Sequence, residues 1–309
     1  MISRDLLPGR PLLVRGTVGG LVHLALWDGA RLLDLSASVD PGLRTLDALL
    51  GLSRDGARAR LEGAAGLPEL DPGEMSWAAP AEGQEVWAAG VTYLRSREAR
   101  IAESAQKDVY AQVYEADRPE LFFKAAGWRV VAHGGQVGVR PDSRWDVPEP
   151  ELAVLSNAAG EIVGYACGND MSSRSIEGEN PLYLPQAKVY QDSCAIGPGV
   201  ILAWHADPAQ AITRMTIERS GEVVFRGEAS VGDMVRRPEE LVGVLRAAYP
   251  LPAGAWLLTG TSIVPPEPYT ALAGDVVRIA IEGIGELVNT VHVVPHTGAT
   301  ALPGVERGP

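Results

Sequence analysis

The sequence predicts an α+β protein, mostly β, with a small N-terminal α/β domain ahead of a larger strand-rich one. Three observations carry this. After the run Glu120 to Lys124, short apolar stretches alternate with Gly, Pro and Asp turn signals, and one clear helix interrupts them. Between Leu43 and Ala65, apolar residues recur instead at helical spacing. Leu67 to Gly83 is rich in Pro, Gly and acidic residues, which reads as a linker. The division expected is 1–80 for the N-terminal domain and linker, and 81–309 for the second domain.

Taken in order, Pro11 to Val39 holds short apolar runs separated by Gly19-Gly20 and Asp28-Gly29, a small meander of strands. Leu46, Leu49, Leu50, Ala57 and Leu61 mark one or two short helices. Glu85 to Val91 is a strand, and Ser96 to Ala116 a long helix with Ile101, Val109 and Val113 on one side. Leu152 to Leu155 and Ile162 to Cys167 are strands of a hairpin whose turn is Ala158-Ala159-Gly160-Glu161. The later helix starts at Arg237-Pro238-Glu239-Glu240, with Pro at its first position. Val276 to Ile281 and Glu286 to Val294 form a last hairpin. His292 reads as a buried, hydrogen-bonded histidine, and Trp128, Trp145 and Trp204 as core or interface aromatics.

The bulk properties narrow the function. The 309 residues carry a net charge of -12, which argues against a nucleic-acid partner, for which a basic patch is the expected footprint. No apolar run approaches the roughly 18 residues of a spanning helix, and the first residues hold no apolar signal core. A cytoplasmic protein without a membrane partner is expected. Cys167 and Cys194 cannot make a disulfide framework and read as buried free thiols.

Chemistry concentrates in one stretch. Glu149 and Glu151 are spaced i, i+2, and on a strand that spacing puts both side chains on one face. The hairpin that follows returns Asp170 toward them. Three convergent carboxylates make a hard-cation site, for Mg²⁺ or Mn²⁺. The other reading is a solvated acidic edge that discourages strand pairing.

The surrounding residues resemble the fumarylacetoacetate hydrolase superfamily from about Val86 to Val294. Its pattern of Glu-x-Glu followed by Asn-Asp-x-Ser-x-Arg is matched by Glu149, Glu151 and Asn169 to Arg174. Gln186-Ala187-Lys188 before Cys194 to Gly199, Gly260-Thr261 and Ala273 to Val277 match its lysine, its Gly-Pro turn, its threonine and its Gly-Asp turn. The resemblance implies a rolled β-sandwich with flanking helices, and a homodimer or homotetramer. Hydrolases of the superfamily use a histidine after the first core strand, but Gly90 to Ala99 contains none. A general base of that kind contributes about 10²–10⁴-fold, so carbon–carbon hydrolysis (of an acylpyruvate, for example) loses its expected base. A non-catalytic sugar-acid binding protein is the reading from another class. The runs Gly90 to Tyr93, Arg118 to Lys124, Trp145 to Leu152 and Ser172 to Lys188 instead resemble the 2-keto-3-deoxy-D-arabinonate dehydratases. That subgroup's reaction removes water from the acid to give 2,5-dioxopentanoate, with the metal stabilising an enolate.

Roles follow from the resemblance. Glu149, Glu151 and Asp170 would hold the metal. Lys188 would be the base or an electrostatic clamp on the enolate, and Glu120 the proton donor or second base, with Glu115 a weaker substitute. Arg174 lies four residues after Asp170, within reach on any short helix, and could fork onto the substrate carboxylate or pair with Asp170 or Glu177. Glu177, Lys124, Thr261 and Ser96 complete the substrate-binding set, with Arg97 beside Ser96. For Lys124 and Thr261 a plain structural role is the alternative.

Overall fold

The computed structural model describes residues 7–93 and 116–295. The N-terminal meander forms as β1 (Leu12–Val18), β2 (Leu21–Trp27) and β3 (Leu32–Asp34), turned at Gly19-Gly20, both at positive φ, and at Asp28-Gly29. Helices α1 (Leu46–Leu50) and α2 (Arg54–Glu62) follow, capped by Thr45 and Ser53, whose hydroxyls accept from Ala48 N and Gly56 N. Leu67 to Gly83, expected as linker, contributes the two-residue strands β4 (Glu69–Leu70) and β5 (Ser76–Trp77). Next come β6 (Glu85–Gly90), β7 (Glu120–Ala126), β8 (Gln136–Val139), β9 (Asp146–Val147), β10 (Pro150–Ser156), β11 (Ile162–Asp170) and β12 (Ser172–Ser173). Two short helices, α3 (Arg174–Glu179) and α4 (Leu184–Lys188), then lead to β13 (Cys194–Leu202). The chain closes with β14 (Ile212–Arg219), β15 (Glu222–Ser230), α5 (Pro238–Arg246), β16 (Ala255–Leu258), β17 (Val276–Ile281) and β18 (Gly285–Val293).

Among the described residues, strands β4-β3-β2-β1-β13-β11-β10-β16-β6-β7 lie side by side in an eleven-stranded sheet, with β5 attached to β1. Strands on both sides of residue 80 therefore share one sheet, joined where Leu12 pairs with Ile201. Trp256, fully buried on β16, donates its indole N–H to Pro80 O at 2.8 Å and ties the connecting segment to the centre. A second sheet runs β15-β14-β17-β18-β8. Its inner side chains, among them Met215, Ile217, Ile279 and Leu287, pack with Leu152, Val154 and Cys167 of the large sheet. The opposite face of the large sheet carries Ala153, Leu155 and Ala166 against Leu46, Leu49, Leu50 and Leu61 of α1 and α2. Strands β10, β11 and β13 are consequently buried along their whole length. This helix–sheet–sheet layering answers to the mostly β reading of the sequence.

Where the structure departs from expectation, the reason is local. Helix segments α3 and α4 were not foreseen, because neither is long enough to show a period. Trp128, read as core or interface, is 74% exposed, with the Arg129 guanidinium 4.3 Å from its ring centroid. His292 is hydrogen-bonded as expected, to Asp192 at 2.9 Å, but only half-buried. Both thiols are free and buried, and burial pushes each up to about 12. The helix expected over Ser96 to Ala116 lies outside the described residues up to Glu115. No described helix is long and apolar enough to cross a membrane.

Candidate active site

The hairpin of β10 and β11 builds the site at its open end. Glu149 sits between Pro148 and Pro150, which hold the entry extended and offer the sheet no amide donor. Register places Glu151 opposite Gly168 and Pro150 opposite Asn169, and Asp170 N–H closes the end on Glu149 O at 3.0 Å. Glycine at 160, with φ of +78°, lets the far turn close without strain. The alternation that puts Ala153 and Leu155 against the helices thus carries the same face outward to Glu151 and Glu149. There it meets Asp170, and one carboxylate oxygen from each of the three lies within 4.8 Å of the others.

All three are buried, so the acidic-edge reading fails for this stretch. Burial first, then the charges of Asp170 and Glu149, push the Glu151 carboxyl well above its ordinary range; the Lys188 charge and the Gly260 N–H pull it back. Glu151 Oε2 accepts from that N–H at 2.6 Å. Three hard oxygen donors at this spacing fit a divalent cation of the Mg²⁺ type.

Cations surround the triad. Lys188, the last residue of α4, donates to Glu149 Oε2 at 2.8 Å, Asp170 Oδ2 at 2.9 Å and Ser172 Oγ at 2.5 Å. The Phe122 ring lies 5.7 Å from its nitrogen. Lys124, fully buried on β7, contacts Asp170 Oδ1 at 2.6 Å and donates to the carbonyls of Met171, at 2.9 Å, and of Lys188. Arg174 opens α3 and bridges Glu149 Oε1 at 2.8 Å, with Glu177 Oε2 at 3.9 Å. The helical proximity of Arg174 to Asp170 does not arise, because Asp170 ends β11 and Ser172–Ser173 form β12 in between. The arginine turns back onto Glu149 instead.

A small cavity opens on this group, walled by Ala89, Gly90, Val91, Phe122, Gly260 and Thr261 as well as the triad, Arg174 and Lys188. Of the residues expected from sequence, the structure thus gathers Glu149, Glu151, Asp170, Lys188, Arg174 and Thr261 around one space. Lys124 and Glu177 stand behind it. Glu120, at the start of β7, pairs across the strands with the cavity-lining Gly90, and its carboxylate takes the space a Cβ there would need, with Glu120 Oε2 2.0 Å from that position. Ser96, Arg97 and Glu115 lie outside the described residues. Ser172, Phe122 and the Gly260 amide were missed. Ser172 was legible, since Asp170 and Ser172 have the same i, i+2 spacing as the two glutamates; Phe122 and the amide meet the site only through non-local pairing.

The match to known sequences follows the same residues. The model for the C-terminal part of fumarylacetoacetate (FAA) hydrolase aligns with residues 85–292, more than half of the chain. The chain belongs to the fumarylacetoacetate hydrolase family. A probable 2-keto-3-deoxyxylonate dehydratase of Haloferax volcanii is 53% identical over 216 residues, 70% of this chain and 74% of the relative. The 2-dehydro-3-deoxy-D-arabinonate dehydratase of Saccharolobus solfataricus is 41% identical over 217 residues, 69% and 73% of the two chains. The solved structure of a 2-keto-3-deoxy-D-arabinonate dehydratase complexed with magnesium and 2,5-dioxopentanoate has 32% identity and a TM-score of 0.78, covering 92% of this chain and 99% of that one. Such identity over most of the chain to dehydratases makes this member of the family a dehydratase.

Proposed function

We propose that this chain is a Mg²⁺-dependent hydro-lyase that converts 2-keto-3-deoxy-D-arabinonate to 2,5-dioxopentanoate, in oxidative pentose breakdown. The observation that carries the reading is the buried Glu149–Glu151–Asp170 triad with Lys188 spanning two of its members, in a chain this similar to dehydratases. The names of the two relatives are compatible. A 2-keto-3-deoxy pentonate keeps a stereocentre only at C4, so the acids derived from D-arabinonate and D-xylonate are one molecule.

Glu149, Glu151 and Asp170 would hold the ion, with Mn²⁺ as a possible substitute. When bound, it supplies Lewis-acid stabilisation of the enolate formed as the C3 proton leaves. Lys188 is our choice for the base that takes this proton. Its three donated hydrogen bonds suit the ammonium form, which instead offers positive charge to the keto oxygen, and the neutral form is the one that accepts. Glu120, behind Gly90, is our choice for the group that protonates the departing C4 hydroxyl. The 3,4-alkene that remains still carries a C5 hydroxyl; a proton leaving C5 gives a dienol, and protons returned to C3 and C4 as that hydroxyl gives up its own turn it into the aldehyde. Arg174 is suited to the substrate carboxylate, with Glu177 fixing its direction; Lys124, Thr261 and Ser96 complete the proposed binding set. Gly90 to Ala99 holds no histidine, which supports dehydration over the water-activating chemistry of the hydrolases.

The same reading takes residues 81–309 as the catalytic domain of a cytoplasmic homodimer or homotetramer, for which light scattering is the test. The reaction itself is tested by incubating the protein with 2-keto-3-deoxy-D-arabinonate and Mg²⁺, coupled to a semialdehyde dehydrogenase and NADP⁺. NADPH formation that EDTA stops and Mg²⁺ restores is expected. No turnover, with cleavage of an acylpyruvate by the same preparation, would replace this reading with the hydrolase one.

A further inference from the structure

Among the described residues, Glu151 accepts one N–H bond, from a peptide that is itself held from the other side. The peptide between Thr259 and Gly260 presents its N–H to Glu151 Oε2 at 2.6 Å and its carbonyl to the Thr92 hydroxyl, which donates at 2.6 Å. Thr92, Thr259 and Glu151 are all buried. The result is a continuous run from Thr92 O–H through one amide to a carboxylate, and in a dry interior such a run polarises each of its bonds. Thr259 is anchored as well: its N–H and hydroxyl both donate to Leu152 O, at 3.1 and 2.9 Å. The Thr92 bond on the carbonyl resists rotation of the 259–260 amide plane.

Packing agrees with the hydrogen bonds. Gly260 has φ of +89°, and a Cβ there would lie 2.1 Å from Thr92 Oγ1 and 3.0 Å from Ala89 O. Thr92 is fixed on its own side too. Its carbonyl accepts from Val235 N at 2.9 Å, and Tyr93 bridges to Met234. Val91, just before it and on the cavity wall, is held at φ of +53°, a region β-branched residues avoid. Backbone in that state persists only where its surroundings over-determine it.

We infer that Thr92 is a positioning residue for the cation site: it orients the Thr259–Gly260 amide so that Gly260 N–H occupies Glu151 Oε2 and leaves the other carboxylate oxygen for an ion. The inference rests on the triad's being a cation site. Groups that orient a metal ligand through a hydrogen bond typically contribute 10–100-fold in metal affinity.

The test uses the full chain, stripped with chelator and titrated with Mn²⁺ by calorimetry. Thr92→Val keeps the shape and removes the donor, and it should raise the Mn²⁺ Kd about tenfold or more. Thr92→Ser keeps the donor and should stay within about twofold of wild type. Melting in EDTA is measured alongside, because a merely structural role would lower that melting point and leave the Kd unchanged. Thr92→Val with wild-type affinity overturns the inference. If that variant does not fold, Thr92→Ala against Thr92→Ser makes the same comparison, and equal affinities again overturn it. Wild-type protein that takes up no Mn²⁺ sinks the metal reading as well, an outcome distinct from unchanged binding in the variant.

Discussion

Asp275 and Glu151 are both carboxylates sealed inside the fold, yet their surroundings are opposite. Asp275 is gripped by the Arg219 fork, Nε to Oδ1 and Nη2 to Oδ2, each at 2.7 Å. Tyr269 O–H at 3.3 Å and Leu272 N–H at 3.0 Å complete its shell. Protein groups answer the whole charge, and the carboxylate serves to join β14 to the turn before β17. Glu151 has two further carboxylates within 4.8 Å and one amide donor. Lys188, Lys124 and Arg174 are directed at Glu149 and Asp170 rather than at Glu151. A buried anion with its own cation reads as scaffold, whereas a buried carboxyl pushed up by burial and by two neighbouring carboxylates reads as a place for a ligand.

The largest expected effect breaks the ligand side of this contrast. Glu149→Gln combined with Glu151→Gln should lower kcat/KM by at least about 100-fold, taking Lewis-acid assistance as worth several kcal/mol. Full turnover in excess EDTA would end the metal reading. Next is Lys188→Met, which removes the cation between Glu149 and Asp170. Turnover should fall about 10²–10⁴-fold if it moves the C3 proton, and metal-free protein should melt lower because two buried carboxylates lose a partner. Near-normal kcat would demote Lys188 to scaffold.

The scaffold side should behave otherwise. Arg219→Met leaves Asp275 without its fork and should cost about 1–3 kcal/mol in urea unfolding, while the Mn²⁺ Kd stays as in wild type. A shift of that Kd comparable to the stability loss would erase the distinction between the two carboxylates. The smallest effect is in the pH dependence of the metal-free chain. Because the folded Glu151 carboxyl lies above its ordinary value of 4.5, its contribution to stability is fully present below that value and is lost as pH rises through the raised one. Melting of EDTA-treated protein should therefore fall across that window. Glu151→Gln should flatten the fall, and a slope unchanged by the substitution would show that another group titrates.

Much of the site was legible because its spacing is short. The i, i+2 glutamates, a turn with glycine at 160, and a return strand of nine residues bring Glu149, Glu151 and Asp170 together through local geometry alone. The N-terminal meander, the Pro238 helix and the final hairpin were readable for the same reason, since each is set by neighbours a few residues apart. Arg174 shows the limit. Its presence at the site and its pairing with Glu177 were expected, but its nearer partner, Glu149, was not, because the intervening Ser172–Ser173 strand pairs with β9 and turns the side chain onto Glu149.

By itself the sequence determined which residues could form a hard-cation site, that no histidine stands where the hydrolases keep one, and that strands would dominate. These follow from side-chain chemistry and from periods of two or 3.6 residues, both written in short windows. Only the tertiary structure decided that β1 would pair with β13 and extend the sheet across residue 80, that Lys188 would reach two members of the triad, and that Thr92 would meet Thr259. Such pairings join segments up to 189 residues apart. They are chosen by burial of both sheet faces and by satisfaction of buried amides, which no short stretch of sequence contains.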